Sequence, residues 1–375
     1  MKFVIAPDKY KGSLSGPQFC DAVEQGIQMV FPKATILKKP LADGGDGTLE
    51  VVKDYLNANQ RSVRVKDPLF REIEASYLLS QDGRIAYIEM SEASGYKLLD
   101  RSEMNCMHTT SFGTGELIAD ALQQGAKEIV LGIGGSATND GGMGMAAALG
   151  FEFKNHLGEQ LEPIGRNLVK VKEIDVPSPE AFQNVMVKVA CDVNNPFYGP
   201  DGAAHVYAAQ KGASAEEVEF LDKGLKSFAQ VLEASFGKDV QQIPGVGAAG
   251  GLGAGAMVFL GATLTSGVDL VMEMAHFDAA LADADWIITG EGQLDHQTSS
   301  GKTIAGVIKL AKERNIPVAA LCGSVNVSVE EIQRMGLDYA VSILNTIGSL
   351  EEAKAQSYAN LVQASFNFAK LLKVR

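Results

Sequence analysis

Short apolar runs alternate along the chain with longer stretches in which apolar positions recur every three or four residues. The short runs predict buried strands, and the longer stretches predict amphipathic helices that pack on a sheet. Strands are predicted at Lys2–Ala6, Thr35–Lys38, Ser62–Lys66, Ala75–Leu79, Ile85–Met90, Glu128–Leu131, Met186–Cys191, Trp286–Thr289, Val318–Cys322 and Tyr339–Ile343. Helices are predicted at Gly16–Val30, Gly47–Ala58, Gly113–Gln124, Met143–Leu149, Ala215–Phe236, Gly251–Leu260, Gly301–Arg314, Val329–Met335 and Leu350–Leu372. This alternation favours an α/β fold with a mostly parallel sheet.

The middle of the chain differs in pattern from its two ends. Residues 63–90 predict consecutive strands without intervening helices, which indicates a mixed or antiparallel patch. A chain of 375 residues is also long for one hydrophobic core. We therefore predict a discontinuous, doubly wound (Rossmann-like) α/β domain from residues 1–67 and 286–375, with a second α/β domain, residues 68–285, inserted into it.

Composition narrows the classes of function. A net charge of −13 argues against a nucleic-acid or anionic-membrane surface, because either partner requires a basic face. The four cysteines show no CxxC spacing and the five histidines show no metal-ligand spacing, so we expect reduced thiols and no structural zinc. The amino-terminal apolar run is too short for a signal peptide, and no run is long enough to span a membrane. We expect a cytoplasmic protein.

Polar, glycine-rich segments follow the predicted strands repeatedly. Ligands of α/β sheets bind at the carboxyl ends of the strands, so six such loops predict a shared ligand site. The loops begin at Pro7, Ala42, Gly132, Asp192, Gly290 and Gly323.

The most informative of these loops is residues 132–142, which connects a predicted strand to a predicted helix. Its glycines allow backbone N–H groups to approach an anion, and the helix start adds a partial positive charge. Asp140 could hold a cation or cap the helix. The loop predicts a site for a phosphate or another small anion. The simpler alternative is a tight turn with Asp140 as its N-cap.

Three other motif matches are weaker evidence for a ligand site. Residues 245–250 fit GxGxxG but follow a poor strand, so we expect a flexible loop that leads into a closely packed helix. Residues 132–137 offer a better dinucleotide turn, although Glu159 only doubtfully supplies the acid that would bind the ribose. Lys302 belongs to a GK[ST] tail, but His296 stands where a P-loop requires its first glycine. Lys302 could bring its charge to a phosphate or lie in solvent at a helix start.

Together these motifs resemble the class I bacterial glycerate kinases, over essentially the whole chain. The departure from the family is Lys9-Tyr10-Lys11, where many members have Ser-Phe-Lys. The resemblance implies two α/β domains around a cleft, ATP with Mg²⁺, (R)-glycerate (D-glycerate) as acceptor and, in most bacterial members, 2-phosphoglycerate as product. The segments that carry it are residues 6–14, 42–48, 111–116, 132–142, 191–196, 247–255 and 289–295.

Phosphoryl transfer to a hydroxyl requires cradled phosphates, a neutralising metal and an acceptor relieved of its proton. Asp43 and Asp46 could coordinate Mg²⁺, or they could stabilise the turn and cap the next helix. The general base is expected to be Asp192 or Asp295. The expected phosphate-binding residues are Gly134, Gly135, Ser136, Thr138, Asn139, Gly290, Glu291 and Lys302.

A carboxylate substrate needs a cation, and Lys9, Lys11 and Arg71 are the candidates, with Lys11 counted among the catalytic residues. We expect Asp8, Ser13 and Asn194 to contact the substrate as well. An NAD-dependent oxidoreductase and a solute-binding or regulatory module without chemistry are the alternative functions. The sequence leaves open which hydroxyl is phosphorylated and whether the protein forms a homodimer.

Overall fold

The computed structural model describes residues 1–8, 10, 12–42, 48–177, 184–295 and 302–374. The strands, in chain order, are β1 (Lys2–Ile5), β2 (Thr35–Lys38), β3 (Ala58–Lys66), β4 (Glu72–Ser80), β5 (Ile85–Glu89), β6 (Glu128–Gly132), β7 (Glu152–Lys154), β8 (Glu173–Asp175), β9 (Met186–Ala190), β10 (Thr263–Thr265), β11 (Trp286–Thr289), β12 (Gln293–Leu294), β13 (Val318–Cys322), β14 (Ser324–Val325) and β15 (Tyr339–Ser342). The helices are α1 (Gly16–Gln28), α2 (Thr48–Tyr55), α3 (Ser91–Ser94), α4 (Phe112–Gln123), α5 (Met143–Ala148), α6 (Ala203–Tyr207), α7 (Ala215–Phe236), α8 (Ala248–Phe259), α9 (Gly267–Met274), α10 (Phe277–Ala280), α11 (Lys302–Arg314), α12 (Val329–Met335) and α13 (Leu350–Lys373).

The chain forms two compact α/β units. The first combines Met1–Tyr55 with Gly267–Arg375, and the second is Leu56–Ser266. These boundaries differ from the predicted ones at 67 and 285. Strand β3 pairs along its whole length with β4 and so belongs to the second unit. Helix α9 packs against α2 and α11 and so belongs to the first.

The sheet of the first unit is parallel, in the order β15-β13-β11-β1-β2. Phe3 and Ile288 on one face pack against α1 and α13, together with Phe19 and Phe368. Because successive strand residues face opposite sides, Val4 faces the other side of the sheet, and it is buried as well. Helices therefore cover this sheet on both faces, which is typical of a doubly wound fold.

The sheet of the second unit has the order β10-β9-β6-β5-β4-β3. Strands β5, β6, β9 and β10 are parallel, whereas β3, β4 and β5 pair antiparallel. The predicted mixed patch at residues 63–90 is therefore confirmed. The α/β class with mostly parallel sheets is confirmed as well.

Local sequence fixes where several helices begin. Capping boxes, in which a serine and a side chain three residues later exchange hydrogen bonds, start α1, α7, α12 and α13. In α13 the pair is Ser349 and Glu352. Among the described residues, no helix is both long and apolar enough to cross a membrane.

Candidate active site

A pocket of about 1110 Å³ lies in the first unit, at the carboxyl ends of β1, β11, β13 and β15. Chain connections run outward in opposite directions from the neighbouring strands β1 and β11, toward β2 on one side and toward β13 and β15 on the other. Such a reversal opens a crevice in which α/β proteins bind ligands. The polar side chains lining the pocket include Asp8, Ser13, Glu291, Asp295, Thr303, Ser324, Asn345 and Lys354.

Hydrogen bonds join the loop after β1 to the loop after β11 and to the start of α11. The backbone amide of Asp8 donates to the carbonyl of Gly290 at 2.9 Å, and the Thr303 hydroxyl donates to the Asp8 carboxylate at 2.8 Å. Gly290 is buried, and a Cβ there would lie 2.0 Å from the carbonyl oxygen of Leu321. Gly290 is therefore needed for the close packing of two strand ends, a role that does not depend on a bound phosphate.

Hydrogen bonds to other elements fix two residues of the loop after β1, Tyr10 and Ser13. The Tyr10 hydroxyl donates to the carbonyl of Leu321 at 2.6 Å, and burial raises the pKa of this phenol well above its usual value. The Ser13 hydroxyl lies 2.7 Å from the Ser357 hydroxyl oxygen and 3.3 Å from the Lys354 carbonyl. Ser13 therefore joins the loop after β1 to the first turns of α13.

Lys354 is a pocket residue that the sequence analysis did not identify. Its ammonium lies 3.2 Å from the position that a Cβ on Gly12 would occupy. Neither an ion pair nor a hydrogen bond joins this ammonium to another described residue. Lys354 occupies an exposed position of the long helix α13, and no local motif marks it. Only the fold brings it to the carboxylates of the pocket.

The loop after β6 in the second unit differs from its predicted form. Asp140 is fully buried, and its carboxylate accepts hydrogen bonds from the Ser111 amide (2.7 Å), the Ser111 hydroxyl (2.8 Å), the Gly142 amide (3.1 Å) and the Gly144 amide (3.2 Å). The Ser111 hydroxyl in turn accepts from the Met145 amide. These donors at the start of α5 are thus occupied by the chain itself. The N-cap of α5 is Gly142, so the alternative with Asp140 as N-cap is wrong. Asp140 instead accepts the Gly142 and Gly144 amides from two residues before the N-cap, and burial raises its pKa.

The remainder of that loop divides into an exposed and a buried part. Gly134 and Gly135 are exposed, whereas Ser136, Thr138 and Asn139 are buried. The Ser136 hydroxyl accepts a hydrogen bond from the buried ammonium of Lys211, a second residue without a sequence motif. A ligand can reach the exposed backbone of Gly134 and Gly135 directly, and Ser136, the next residue, is 7% exposed.

The GxGxxG match at residues 245–250 serves packing. The Gly141 amide donates to the carbonyl of Gly250 at 3.0 Å. Gly250 has φ +67°, and a Cβ there would lie 2.1 Å from the carbonyl oxygen of Thr138. The expected close packing is confirmed, and the burial of residues 245–248 contradicts a flexible loop.

Arg71 was expected to bind a substrate carboxylate, but other groups occupy its guanidinium. Its Nε lies 2.5 Å from Asp67, and its Nη1 lies 2.7 Å from Glu103. These two carboxylates raise the pKa of Arg71. We therefore remove Arg71 from the expected substrate-binding residues.

The remaining expected residues are distributed over both units or lie outside the described residues. Asp192 is half-buried and Asn194 is exposed, both after β9 in the second unit. Among the described residues, no group of three or more His, Cys, Asp or Glu side chains could hold a metal ion. Lys9, Lys11, Asp43, Asp46 and the side chain of Lys302 lie outside the described residues.

Comparisons with known proteins agree with this geometry. The sequence profile of the Glycerate kinase family matches residues 3–373. A glycerate kinase of Halalkalibacterium halodurans is 46% identical over 370 residues, covering 98% of this chain and 97% of the relative. A glycerate 2-kinase of Escherichia coli K12 is 41% identical over 375 residues, covering 100% and 98%.

Solved structures give the same answer. The crystal structure of a protein assigned as glycerate kinase 2 from Salmonella typhimurium LT2 has a TM-score of 0.89 and 42% sequence identity. The match covers 100% of this chain and 98% of that one. The resemblance seen in the motifs is thereby confirmed, and the oxidoreductase and binding-module alternatives receive no support. The chain belongs to the glycerate kinase family.

Proposed function

We propose that the enzyme transfers the γ-phosphoryl group of ATP to the 2-hydroxyl of (R)-glycerate, giving 2-phosphoglycerate. The observation that carries this proposal is the pocket at the strand reversal of the first unit, where Asp8, Glu291 and Asp295 line one cavity. The E. coli relative, named a glycerate 2-kinase, supports the choice of hydroxyl. Transfer to the 3-hydroxyl is the alternative regiochemistry.

A carboxylate must take the proton of the acceptor hydroxyl as the phosphoryl group arrives. Asp295 is our first candidate, because it lines the pocket and directly follows β12. The carboxylate of Asp8 already accepts a hydrogen bond from Thr303, which favours a role in positioning. Asp192 is the second candidate for the base, since it lies two residues after β9, a parallel strand of the other unit.

An anionic acceptor and a triphosphate both require positive charge beside these acids. With Arg71 removed, we assign this role to Lys354 together with Lys9 and Lys11 of the loop after β1. Lys354 lines the same pocket and carries no ion pair among the described residues. Its ammonium is a compact charge on a flexible stem, which suits an anionic oxygen that arrives and leaves.

Mg²⁺ is commonly held by one or two carboxylates together with substrate phosphates. The pocket carboxylates suit that mode, although no cluster of three ligands exists among the described residues. Asp43 and Asp46 remain the proposed ligands of the ion, and Glu291 could provide a further ligand. When bound, the ion would neutralise the negative charge that develops on the phosphoryl group during transfer. Gly134, Gly135 and the residues after β11 remain the proposed phosphate contacts.

The direct test is ³¹P NMR of the purified protein with ATP, Mg²⁺ and D-glycerate. Growth of a 2-phosphoglycerate resonance together with ADP is expected, and EDTA should stop it until Mg²⁺ is added in excess. A 3-phosphoglycerate resonance would overturn the regiochemistry. Intact ATP in the complete mixture would overturn the proposed reaction.

The base is tested with Asp295→Asn and Asp192→Asn, with the exposed Asp201→Asn as control. Loss of the base is expected to lower kcat by about a hundredfold or more while ADP still binds. Near-normal kcat in Asp295→Asn together with a large loss in Asp192→Asn would transfer the role to Asp192. Near-normal kcat in both would remove both residues.

A further inference from the structure

The second unit contains a lysine buried beneath the loop that follows β6. Lys211 is 5% exposed and ends a short 3₁₀ turn, Ala209–Lys211. Its ammonium donates to the Ser136 hydroxyl at 2.7 Å and to the carbonyl of Thr138 at 2.8 Å. Both partners are neutral, and no carboxylate forms an ion pair with Lys211 among the described residues.

A buried charge is costly unless an opposite charge accompanies it. Asp140, an acid whose charge acts on Lys211, already accepts four hydrogen bonds from Ser111, Gly142 and Gly144. Burial lowers the pKa of Lys211 to about 8, and the more distant charges of Cys106 and Asp140 only partly oppose this. The positive charge under the loop is therefore incompletely neutralised by the protein.

The same loop contains polar groups that the chain does not satisfy. The Thr138 hydroxyl and both amide atoms of the Asn139 side chain are buried without a hydrogen-bond partner among the described residues. Buried polar groups are nearly always paired in folded proteins, so three unpaired atoms in adjacent residues are unusual. On the exposed side of the loop, a Cβ added to Gly134 would meet no atom of a described residue within 4 Å, which leaves room for a ligand.

We propose that Lys211 is a positioning residue for an anionic oxygen of the substrates, bound at Gly134–Ser136. The hydroxyl oxygen of Ser136 accepts from the ammonium, so its own hydrogen is available to donate to an anionic oxygen held beside Gly134 and Gly135. The charge of Lys211 adds attraction for an anion through this short link. The inference rests on the proposed function, whose substrates offer two such groups: a nucleotide phosphate and the glycerate carboxylate.

The test compares Lys211→Met, Ser136→Ala, their double variant and the exposed control Lys172→Met. Steady-state kinetics give KM for ATP and for glycerate separately, and calorimetry gives the affinity for ADP. Lys211→Met should raise one of the two KM values about tenfold or more and kcat much less, since a charge-assisted hydrogen bond is lost. The double variant should be little worse than Lys211→Met alone, because both changes break one link. Lys172→Met should behave as wild type.

An elevated KM for ATP with weaker ADP binding identifies the anion as a nucleotide phosphate, and an elevated KM for glycerate alone identifies it as the carboxylate. Unchanged KM values in Ser136→Ala and Lys211→Met would overturn the proposal, as would fully additive effects. If Lys211→Met does not fold, Ser136→Ala decides the question alone. If wild-type protein transfers no phosphate, the proposed reaction fails, and the binding of ADP and of glycerate to Ser136→Ala, measured by calorimetry, still tests this inference.

Discussion

The two units carry similar glycine-rich loops after parallel strands, yet the loops have different roles. After β11, the loop at Gly290 and Glu291 opens into a pocket lined by several carboxylates. After β6, Asp140 occupies the amide groups at the start of the following helix, and glycines at 250 and 251 pack closely over the loop. The first loop presents side chains to a cavity, whereas the second is largely an interior structure with one exposed edge.

The difference shows what a glycine-rich strand-to-helix turn indicates and what it does not. Such a turn places backbone donors at the end of a strand, but a neighbouring side chain can occupy them as effectively as an anion. Asp140 is that side chain here. Ser111, the residue before helix α4, donates two further hydrogen bonds to its carboxylate. The exposed Gly134 and Gly135 are the part of this loop still open to a ligand.

Removing the Asp140 carboxylate, which accepts the hydrogen bonds of the loop after β6, should have the largest effect on stability. Asp140→Ala leaves four buried donors without an acceptor, so we expect a loss of about 4 kcal/mol in the free energy of unfolding. Urea denaturation measures this change, with the exposed Asp201→Ala as control. Stability close to wild type would show that these donors find another acceptor, and our view of the closed loop would be wrong.

The two loops should also respond differently to a single methyl group. Gly290→Ala places a Cβ 2.0 Å from the Leu321 carbonyl oxygen and 2.7 Å from the Phe19 ring, so we expect a loss of about 3 kcal/mol. In Gly134→Ala the new Cβ meets no part of the described chain within 4 Å, and the stability of this variant should remain within about 0.5 kcal/mol of wild type. Thermal denaturation of both variants gives the comparison, and equal losses would contradict it. A rise in KM for ATP in Gly134→Ala would add that this edge receives phosphate.

The buried ammonium of Lys211, in the second unit, predicts that the free energy of unfolding depends on pH. Unfolded chains hold the lysine proton up to a pKa near 10.5, whereas the folded protein loses it at about 8. Because the unfolded state then binds more protons, wild-type stability should rise by about 2 kcal/mol relative to Lys211→Met between about pH 8 and about pH 10.

Two titratable groups face Lys211, the Cys106 thiol and the Asp140 carboxyl, and Lys211→Met retains both. Burial raises the pKa of both groups, that of the Cys106 thiol to about 11. Chemical denaturation of both proteins across this range measures the difference. Parallel stability curves would show that Lys211 keeps an ordinary pKa.

The smallest effect on activity is expected from losing the hydrogen bond that Thr303 donates to the loop after β1. Thr303→Val removes the hydroxyl that donates to Asp8, so transition-state stabilisation should fall by about 1 kcal/mol, or roughly fivefold in kcat/KM. Steady-state kinetics tests this, with the exposed Thr263→Val as control. An unchanged kcat/KM would indicate that Asp8 is held adequately by its other contacts.

Hydrophobic periodicity predicted every strand of the two large sheets except β10, including the antiparallel patch. It also missed the short helices α3, α6, α9 and α10 and the short strands β7, β8, β12 and β14, because short elements offer too few positions to show a period. The helix predicted at residues 47–58 ran too far, since Ala58 already begins β3. The first domain boundary was predicted at 67 and lies at 55, because β3 pairs with β4 and so belongs to the second unit.

The sequence by itself determined the α/β class, the family and the loops that follow the strands, because these depend on local pattern and on short motifs. Only the tertiary structure decided which polar groups remain open to a ligand. Asp140 is occupied by Ser111 and Arg71 by Glu103, while Lys354 and Lys211 come from helical positions distant in sequence. Pairing of charges and donors depends on distances across the fold, and no local pattern in the chain encodes those distances.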